Sequence, residues 1–179
     1  MAVVIALDAG TTSVRALAID ESGEELGSAQ LEFRQHFPQP GLLEHDPEDI
    51  WTAASATLMD LTKHLNSNGV PITALGITNQ RETVVAWDAA TGLARHRAIV
   101  WQDRRTAERC RELEAAGHAE LVRTRTGLVL DPYFSASKIE WMLAKPGRLV
   151  VKGWFRLGFG ILLIVLGLTV FGIPDAAAN

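Results

Sequence analysis

Short apolar runs separated by turn residues dominate the start of the chain. Residues 3–8 are almost wholly apolar, and two further strand-like runs, 14–20 and 25–33, follow after brief turns. Three such runs joined by short connections predict three strands in an antiparallel meander.

One long helix and a series of shorter elements are predicted next. Asp46 can cap a helix and Pro47 suits its first position, and apolar residues then recur at helical spacing as far as Leu65. The later elements are two strands that we expect to be buried (72–78 and 83–88) and three helices (104–116, capped by Asp103, 118–125 and 135–145). Strands interleaved with helices indicate the α/β class, a sheet with helices on its faces.

The character of the chain changes at Lys145. Residues 157–173 contain no charged residue, whereas charges are spread evenly before Lys145. We therefore predict a first domain, 1–145, and an unrelated apolar tail, 146–179, with a candidate transmembrane helix at 154–173. Basic residues precede the apolar run and only an aspartate follows it, which would leave the first domain facing the cytoplasm. A buried core helix and an out-of-frame tail remain as alternatives.

Composition excludes several classes of function. The formal net charge is −4 and no run rich in Lys or Arg is present, which argues against a nucleic-acid partner. Cys110 is the only cysteine, so neither a disulfide within the chain nor a CxxC motif exists, as is typical of a reducing cytoplasm. The N-terminus lacks the features of a signal peptide, and the five histidines have no metal-ligand spacing.

A turn rich in hydroxyls, "DAGTTSVR" at residues 8–15, is the first candidate site. Gly10 permits a tight turn, and such a turn can form a concavity that binds an anion. Asp8, at the end of a strand, could hold Mg²⁺ directly or through water, and Arg15 could neutralise phosphate charge. The hydroxyls are those of Thr11, Thr12 and Ser13. An ordinary hairpin turn is the alternative, and the stretch is not a P-loop motif.

A second unusual stretch, "GITNQRETVVAWD" at 76–88, places Gln, Arg and Glu between two apolar runs. Together with "ALDAGTTSVRA", "GLLEHDPEDIW", "AIVWQDRRTAERC" and "RTGLVLDPYFSASKIEW", it resembles the N-terminal part of the glycerol kinases, in the FGGY family of carbohydrate kinases. The resemblance runs from about residue 3 to about residue 144. It implies a ribonuclease-H-like domain, as in actin and hexokinase, within an enzyme whose two domains close over ATP and a sugar alcohol.

The resemblance also implies roles for particular residues. Arg81 and Glu82 would hydrogen-bond glycerol hydroxyls, with Tyr133 also touching glycerol and Trp101 forming an aromatic wall. The residues that would handle the nucleotide phosphates are Thr11, Thr12, Ser13 and Arg15, with Asp8 near Mg²⁺. Without the resemblance, a surface salt pair and core aromatics would be the simpler interpretations. Residues 103–109, "DRRTAER", are predicted to form a solvated helix face without a role.

Two departures from the family pattern limit the functional expectation. Ala9 stands where many glycerol kinases carry a polar residue. After Lys145 nothing matches the family's general base or its adenine-binding domain. We therefore expect part of an ATP-dependent polyol kinase, inactive alone, in which uncovered strand edges favour aggregation. A membrane-tethered, non-catalytic pseudo-kinase is the alternative, and the sequence predicts no oligomeric state.

Overall fold

The computed structural model of the chain describes residues 2–144 and the backbone of residues 172–173. The predicted membrane helix at 154–173 therefore lies outside the described residues, except for its last two. Those two form a short strand, Gly172–Ile173, so the helix prediction is wrong at that end. In the part of the chain that is described, no helix has both the length and the hydrophobicity needed to cross a membrane.

The chain divides into two compact units. The first unit comprises Met1–Gln35 and His45–Gln80, and the second comprises His36–Glu44 and the chain from Arg81 onward. Two short strands lie where the chain passes between the units, β4 (Gln35–His36) and β5 (Glu44–His45). The predicted domain 1–145 thus contains two structural units, and the QRE stretch spans their boundary.

The first unit is built on a four-stranded sheet in the order β3-β2-β1-β6. Its strands are β1 (Val3–Ala9), β2 (Ser13–Asp20), β3 (Glu25–Glu32) and β6 (Ile72–Asn79). β2 pairs antiparallel with both β1 and β3, which confirms the predicted meander. β6 pairs parallel with β1, after the chain has crossed the sheet through a helix.

That helix, α1 (Pro47–Ser67), begins where the sequence predicts. The side chain of Asp46 accepts a hydrogen bond of 3.0 Å from the backbone N–H of Glu48, as expected for an N-cap. One face of α1 packs against β2 and β3. The core between them is formed by Val3, Ile5, Leu7, Val14, Ala16 and Ala18 from the sheet and by Ala53, Ala54, Leu61 and Leu65 from α1.

β6 is a strand, as predicted, but the prediction that it is buried is wrong. Leu75 and Ile77 pair in register with Ile5 and Leu7 of β1, so all four side chains lie on the face that α1 covers. Ile5 and Leu7 are only 2% and 6% exposed, whereas Leu75 and Ile77 are 49% and 69% exposed. The apolar row therefore continues onto β6, beyond the part of the sheet that α1 covers.

The second unit contains short strands and three helices. They are β7 (Trp87–Asp88), β8 (Ala98–Ile99), β9 (Gly172–Ile173), α2 (Ala107–Ala115), α3 (Ala119–Thr126) and α4 (Ser135–Ala144). The helices lie close to the predicted ranges. The predicted strand 83–88 is mostly irregular, because only its last two residues form a strand and Val84 makes an isolated bridge to Ile99. Val84, Ala86, Ile99 and Met142 form a small apolar core.

Asp103 and Arg105 contradict the prediction of a solvated helix face at 103–109. Asp103 is fully buried and does not cap α2; its carboxylate accepts a hydrogen bond of 2.7 Å from the backbone N–H of Leu43. The Arg105 guanidinium donates to Asp103 and to Glu44, at 2.8 Å each, and lies 4.5 Å from the ring centre of Trp141. The cation thus joins two acidic residues inside the unit.

Candidate functional site

The hydroxyl-rich turn lies between β1 and β2 in the first unit. Gly10 lies at a close approach of the backbone, because a Cβ at this position would lie 3.1 Å from the carbonyl oxygen of Ser13. Thr11 and Ser13 are half-buried and Thr12 is exposed. The Ser13 hydroxyl accepts a hydrogen bond of 2.9 Å from the side-chain amide of Gln30. The turn is therefore fixed in a tight conformation with its hydroxyls near the surface.

Four consecutive carbonyl groups in this turn, from residues 9–12, are held by donors on either side. Gln80 donates through its backbone N–H to Ala9 (3.0 Å) and through its side chain to Gly10 (3.1 Å). The Gln35 side chain donates to the carbonyl of residue 11 (3.0 Å), and the backbone N–H of Phe33, the residue after β3, donates to that of residue 12 (3.4 Å). Gln80 and Gln35 thus brace the turn, a role that the sequence did not reveal.

Asp8 and Arg15 lie beside the turn on neighbouring strands. They are register partners in the antiparallel pair of β1 and β2, and both side chains are exposed. Neither makes an ion pair with any described residue. The turn, a carboxylate and a guanidinium therefore lie together at one end of the sheet, and their binding of phosphate stays a prediction.

The described residues include no group of three or more acidic, histidine or cysteine side chains close enough to hold a metal ion. This does not argue against Mg²⁺ carried by a nucleotide, which usually needs only one or two protein carboxylates because phosphates and waters complete its shell. The single exposed carboxylate of Asp8 fits that kind of site better than a cage formed by the protein alone.

Glu82 is the most unusual backbone position in the second unit. Its φ of 63° is the only positive value among the described residues other than glycine, and such values are uncommon and often mark functional sites. Its carboxylate lies at the start of α4, where Oε2 accepts from the backbone N–H (2.8 Å) and the hydroxyl (2.7 Å) of Ser135. Oε1 accepts no hydrogen bond from any described residue.

Arg81 is exposed and forms no ion pair with the described residues. Arg81 and Glu82 therefore do not pair with each other in this structure, and the Glu82 carboxylate binds Ser135 instead. The guanidinium keeps its donors available at the surface.

Trp101 and Tyr133 contact each other, and Tyr133 lies close in the chain to Ser135, which binds the Glu82 carboxylate. Their rings are in edge-to-face contact, with centroids 5.6 Å apart, and both side chains are half-buried. The carbonyl of Tyr133 and that of Glu82 both accept hydrogen bonds from the ammonium of Lys138, at 2.7 and 3.2 Å. Three of the four residues predicted to contact substrate are thus connected within the second unit, and Arg81 adjoins them in the chain.

Comparisons with known proteins identify the family of the chain. Residues 3–149 match the sequence profile of the N-terminal domain of the FGGY family of carbohydrate kinases. The chain therefore belongs to the FGGY family of carbohydrate kinases, and the resemblance to glycerol kinases is confirmed.

Curated relatives include the glycerol kinase of Alkalilimnicola ehrlichii, 52% identical over 143 residues, which are 80% of this chain and 29% of that protein. The glycerol kinase of Chromobacterium violaceum is 53% identical over 158 residues, 88% of this chain and 32% of that protein. The crystal structure of Plasmodium falciparum glycerol kinase with ADP matches with a TM-score of 0.79 and 36% identity, over 82% of this chain and 29% of that one. The chain thus spans about a third or less of the length of these relatives.

Proposed function

We propose that this chain supplies the phosphate turn and the polyol-contacting residues of an ATP-dependent, cytoplasmic kinase that phosphorylates a hydroxyl of glycerol or a similar polyol. The held carboxylate of Glu82 carries this proposal. Its Oε2 accepts two hydrogen bonds from Ser135, whereas Oε1 accepts none from the described residues, and Arg81, the preceding residue, forms no ion pair with them.

This pair suits the chemistry of a polyol. A polyol offers hydroxyl groups that both donate and accept, so its site must present both functions. Arg81 would donate through a rigid fork, and Oε1 of Glu82 would accept. The contacting rings of Trp101 and Tyr133 would face the carbon chain of the polyol, because its C–H groups pack more favourably against aromatic rings than against water.

The turn at residues 10–13 would receive the nucleotide phosphates. Its hydroxyls come from Thr11, Thr12 and Ser13, and Arg15 would neutralise phosphate charge. Mg²⁺, held by Asp8 directly or through water, would supply charge neutralisation on the transferring phosphoryl group when it is bound. Catalysis of this kind depends mainly on positioning and charge, which fits a braced turn with fixed carbonyls.

We further propose that the 179-residue chain alone does not turn over. The family model matches residues 3–149, and the relatives are nearly three times as long as this chain. Neither a general base nor an adenine site is assigned within the present chain.

A chimera tests the proposal directly. Residues 1–144 would replace the matching part of the Alkalilimnicola ehrlichii glycerol kinase, and glycerol phosphorylation would be measured. We expect an active chimera in which Arg81→Ala and Glu82→Gln each raise KM for glycerol by about tenfold or more, with KM for ATP little changed. Arg111→Ala, which removes another exposed arginine, is the control. An unchanged KM for glycerol in both site variants would contradict the assignment.

A further inference from the structure

Lys138, on α4, is buried in a way that is rare for lysine. Its side chain is completely inaccessible to solvent. Its ammonium donates to two backbone carbonyls, those of Glu82 at 3.2 Å and Tyr133 at 2.7 Å. Both acceptors belong to residues that the proposed function assigns to polyol binding, although they are 51 positions apart in the chain.

α4 holds Glu82 at both ends of the residue. Ser135, in the first turn of the helix, binds the carboxylate, and Lys138, one turn later, binds the carbonyl of the same residue. Positions three apart lie on the same side of a helix, so one helix face makes both contacts. A left-handed backbone at a residue other than glycine persists only when its surroundings fix it, and these two contacts provide that constraint.

We propose that Lys138 is a positioning residue for the polyol site. By binding both carbonyls, it sets the Glu82 carboxylate and the Tyr133 ring at a fixed distance from each other, without itself contacting substrate. This inference rests on the proposed function for the identity of the two ligands, but the link between Lys138 and Tyr133 can be tested without any substrate.

The surroundings of Lys138 make the link sensitive to pH. Burial lowers the pKa of Lys138 to about 8, and the negative charges of Glu82, Asp103 and Asp131 oppose this shift. Cys110 on α2 also faces it, and burial raises the pKa of that thiol above its ordinary value. Loss of the ammonium charge weakens both hydrogen bonds, since charged donors form the stronger ones.

Tyr133 provides a unique probe, because it is the only tyrosine in the chain. The full 179-residue chain, labelled with ¹³C in its tyrosine ring, gives one ring signal that can be followed by NMR. We expect this signal to shift with a midpoint near pH 8, well below the ordinary tyrosine pKa of about 10. Lys138→Arg, which stays charged, and Lys138→Met should both abolish this step. Lys63→Met, which removes an exposed lysine on α1, should not.

Two results would overturn the inference. One is a wild-type signal that stays constant between about pH 6.5 and about pH 9. The other is a pH midpoint of the Tyr133 signal that is unchanged in Lys138→Arg. This variant keeps the buried charge, so it tests the inference even if Lys138→Met does not fold.

Glycerol added to the same labelled chain separates this inference from the proposed function. We expect glycerol to shift the Tyr133 signal of wild type, and the affinity to fall by about tenfold in Lys138→Met. If glycerol shifts neither protein while the pH step behaves as expected, the proposed polyol site fails and the structural link stands. If both bind glycerol equally, Lys138 does not position the site.

Discussion

Two adjacent arginines, Arg104 and Arg105, allow a direct test of how burial determines the value of an ion pair. Both pair with aspartates: Arg104 with Asp131 at 3.1 Å, and Arg105 with Asp103 at 2.8 Å. The side chain of Arg104 is 54% exposed, whereas that of Arg105 is 5% exposed and its partner is fully buried. Arg105 also binds Glu44 and stacks on an aromatic ring.

Removal of Arg105 would leave two buried carboxylates without their cation. Breaking a buried ion pair in this way typically costs about 3–5 kcal/mol, because the remaining charge is neither hydrated nor paired. Asp103 would keep two hydrogen bonds, from the backbone N–H groups of Leu43 and of residue 105, and these bonds do not neutralise it. The pair of Arg104 is largely solvated, so Arg104→Ala should cost no more than about 1 kcal/mol.

Hydrogen exchange measured by mass spectrometry can resolve the two units. In Arg105→Ala we expect protection in peptides from α2 and α4 to fall by a factor on the order of 10²–10⁴, or to be lost completely. Peptides from α1, in the first unit, serve as the internal control, and Arg104→Ala is the matched variant. Similar losses in the two variants would refute the reasoning that burial, rather than pairing, determines the cost.

Three further predictions use the full chain. With ATP, Mg²⁺ and glycerol it should form no glycerol 3-phosphate above background, and turnover that disappears in Asp8→Ala would show the opposite. Ile77→Lys should reduce self-association measured by light scattering, because it places a charge on the uncovered apolar row of β6. Leu121→Lys, on exposed α3, should not, and equal effects of the two variants would exclude β6 as the surface of self-association. The pKa of Lys138 in the folded state, about 8, lies below its ordinary value of 10.5, so the unfolded state binds more protons between these two pH values. The free energy of unfolding should therefore rise with pH over this range, by up to about 3 kcal/mol. Urea unfolding at several pH values checks this, and Lys138→Met with an equally steep rise would disprove it.

Local sequence signals were sufficient to locate most of the elements of the first unit. The cap at Asp46, the following proline and the helical spacing locate α1, and the alternation of short apolar runs locates β1 to β3. The exposure of β6 could not be predicted in the same way. An apolar run predicts a strand, but its burial depends on which element covers it, and α1 reaches only the neighbouring strands.

The buried charges of the second unit escaped prediction for a related reason. Asp103 and Arg105 occur in a run of charged residues that looks solvated. Their partners are distant in sequence, since Glu44 is 61 positions from Arg105 and Leu43 is 60 positions from Asp103. No periodicity within the run could indicate contacts at that range.

Side chains that bind backbone carbonyls are equally hard to recognise from sequence. Arg81, Glu82, Trp101 and Tyr133 were named through the family motif that contains them. Gln80 and Lys138 were not named in this way. Every residue has a backbone carbonyl, so the sequence does not indicate which side chain binds a particular one.

The row of Gln, Arg and Glu between two apolar runs can now be understood as three separate tasks. Gln80 belongs to the first unit and braces the carbonyls of Ala9 and Gly10. Glu82 belongs to the second unit and is held by α4, while Arg81 between them keeps its donors exposed. Because Gln80 and Glu82 are fixed by different units, substitutions at these two residues should have different effects. A change at Gln80 should act on the phosphate turn, and a change at Glu82 should act on polyol recognition.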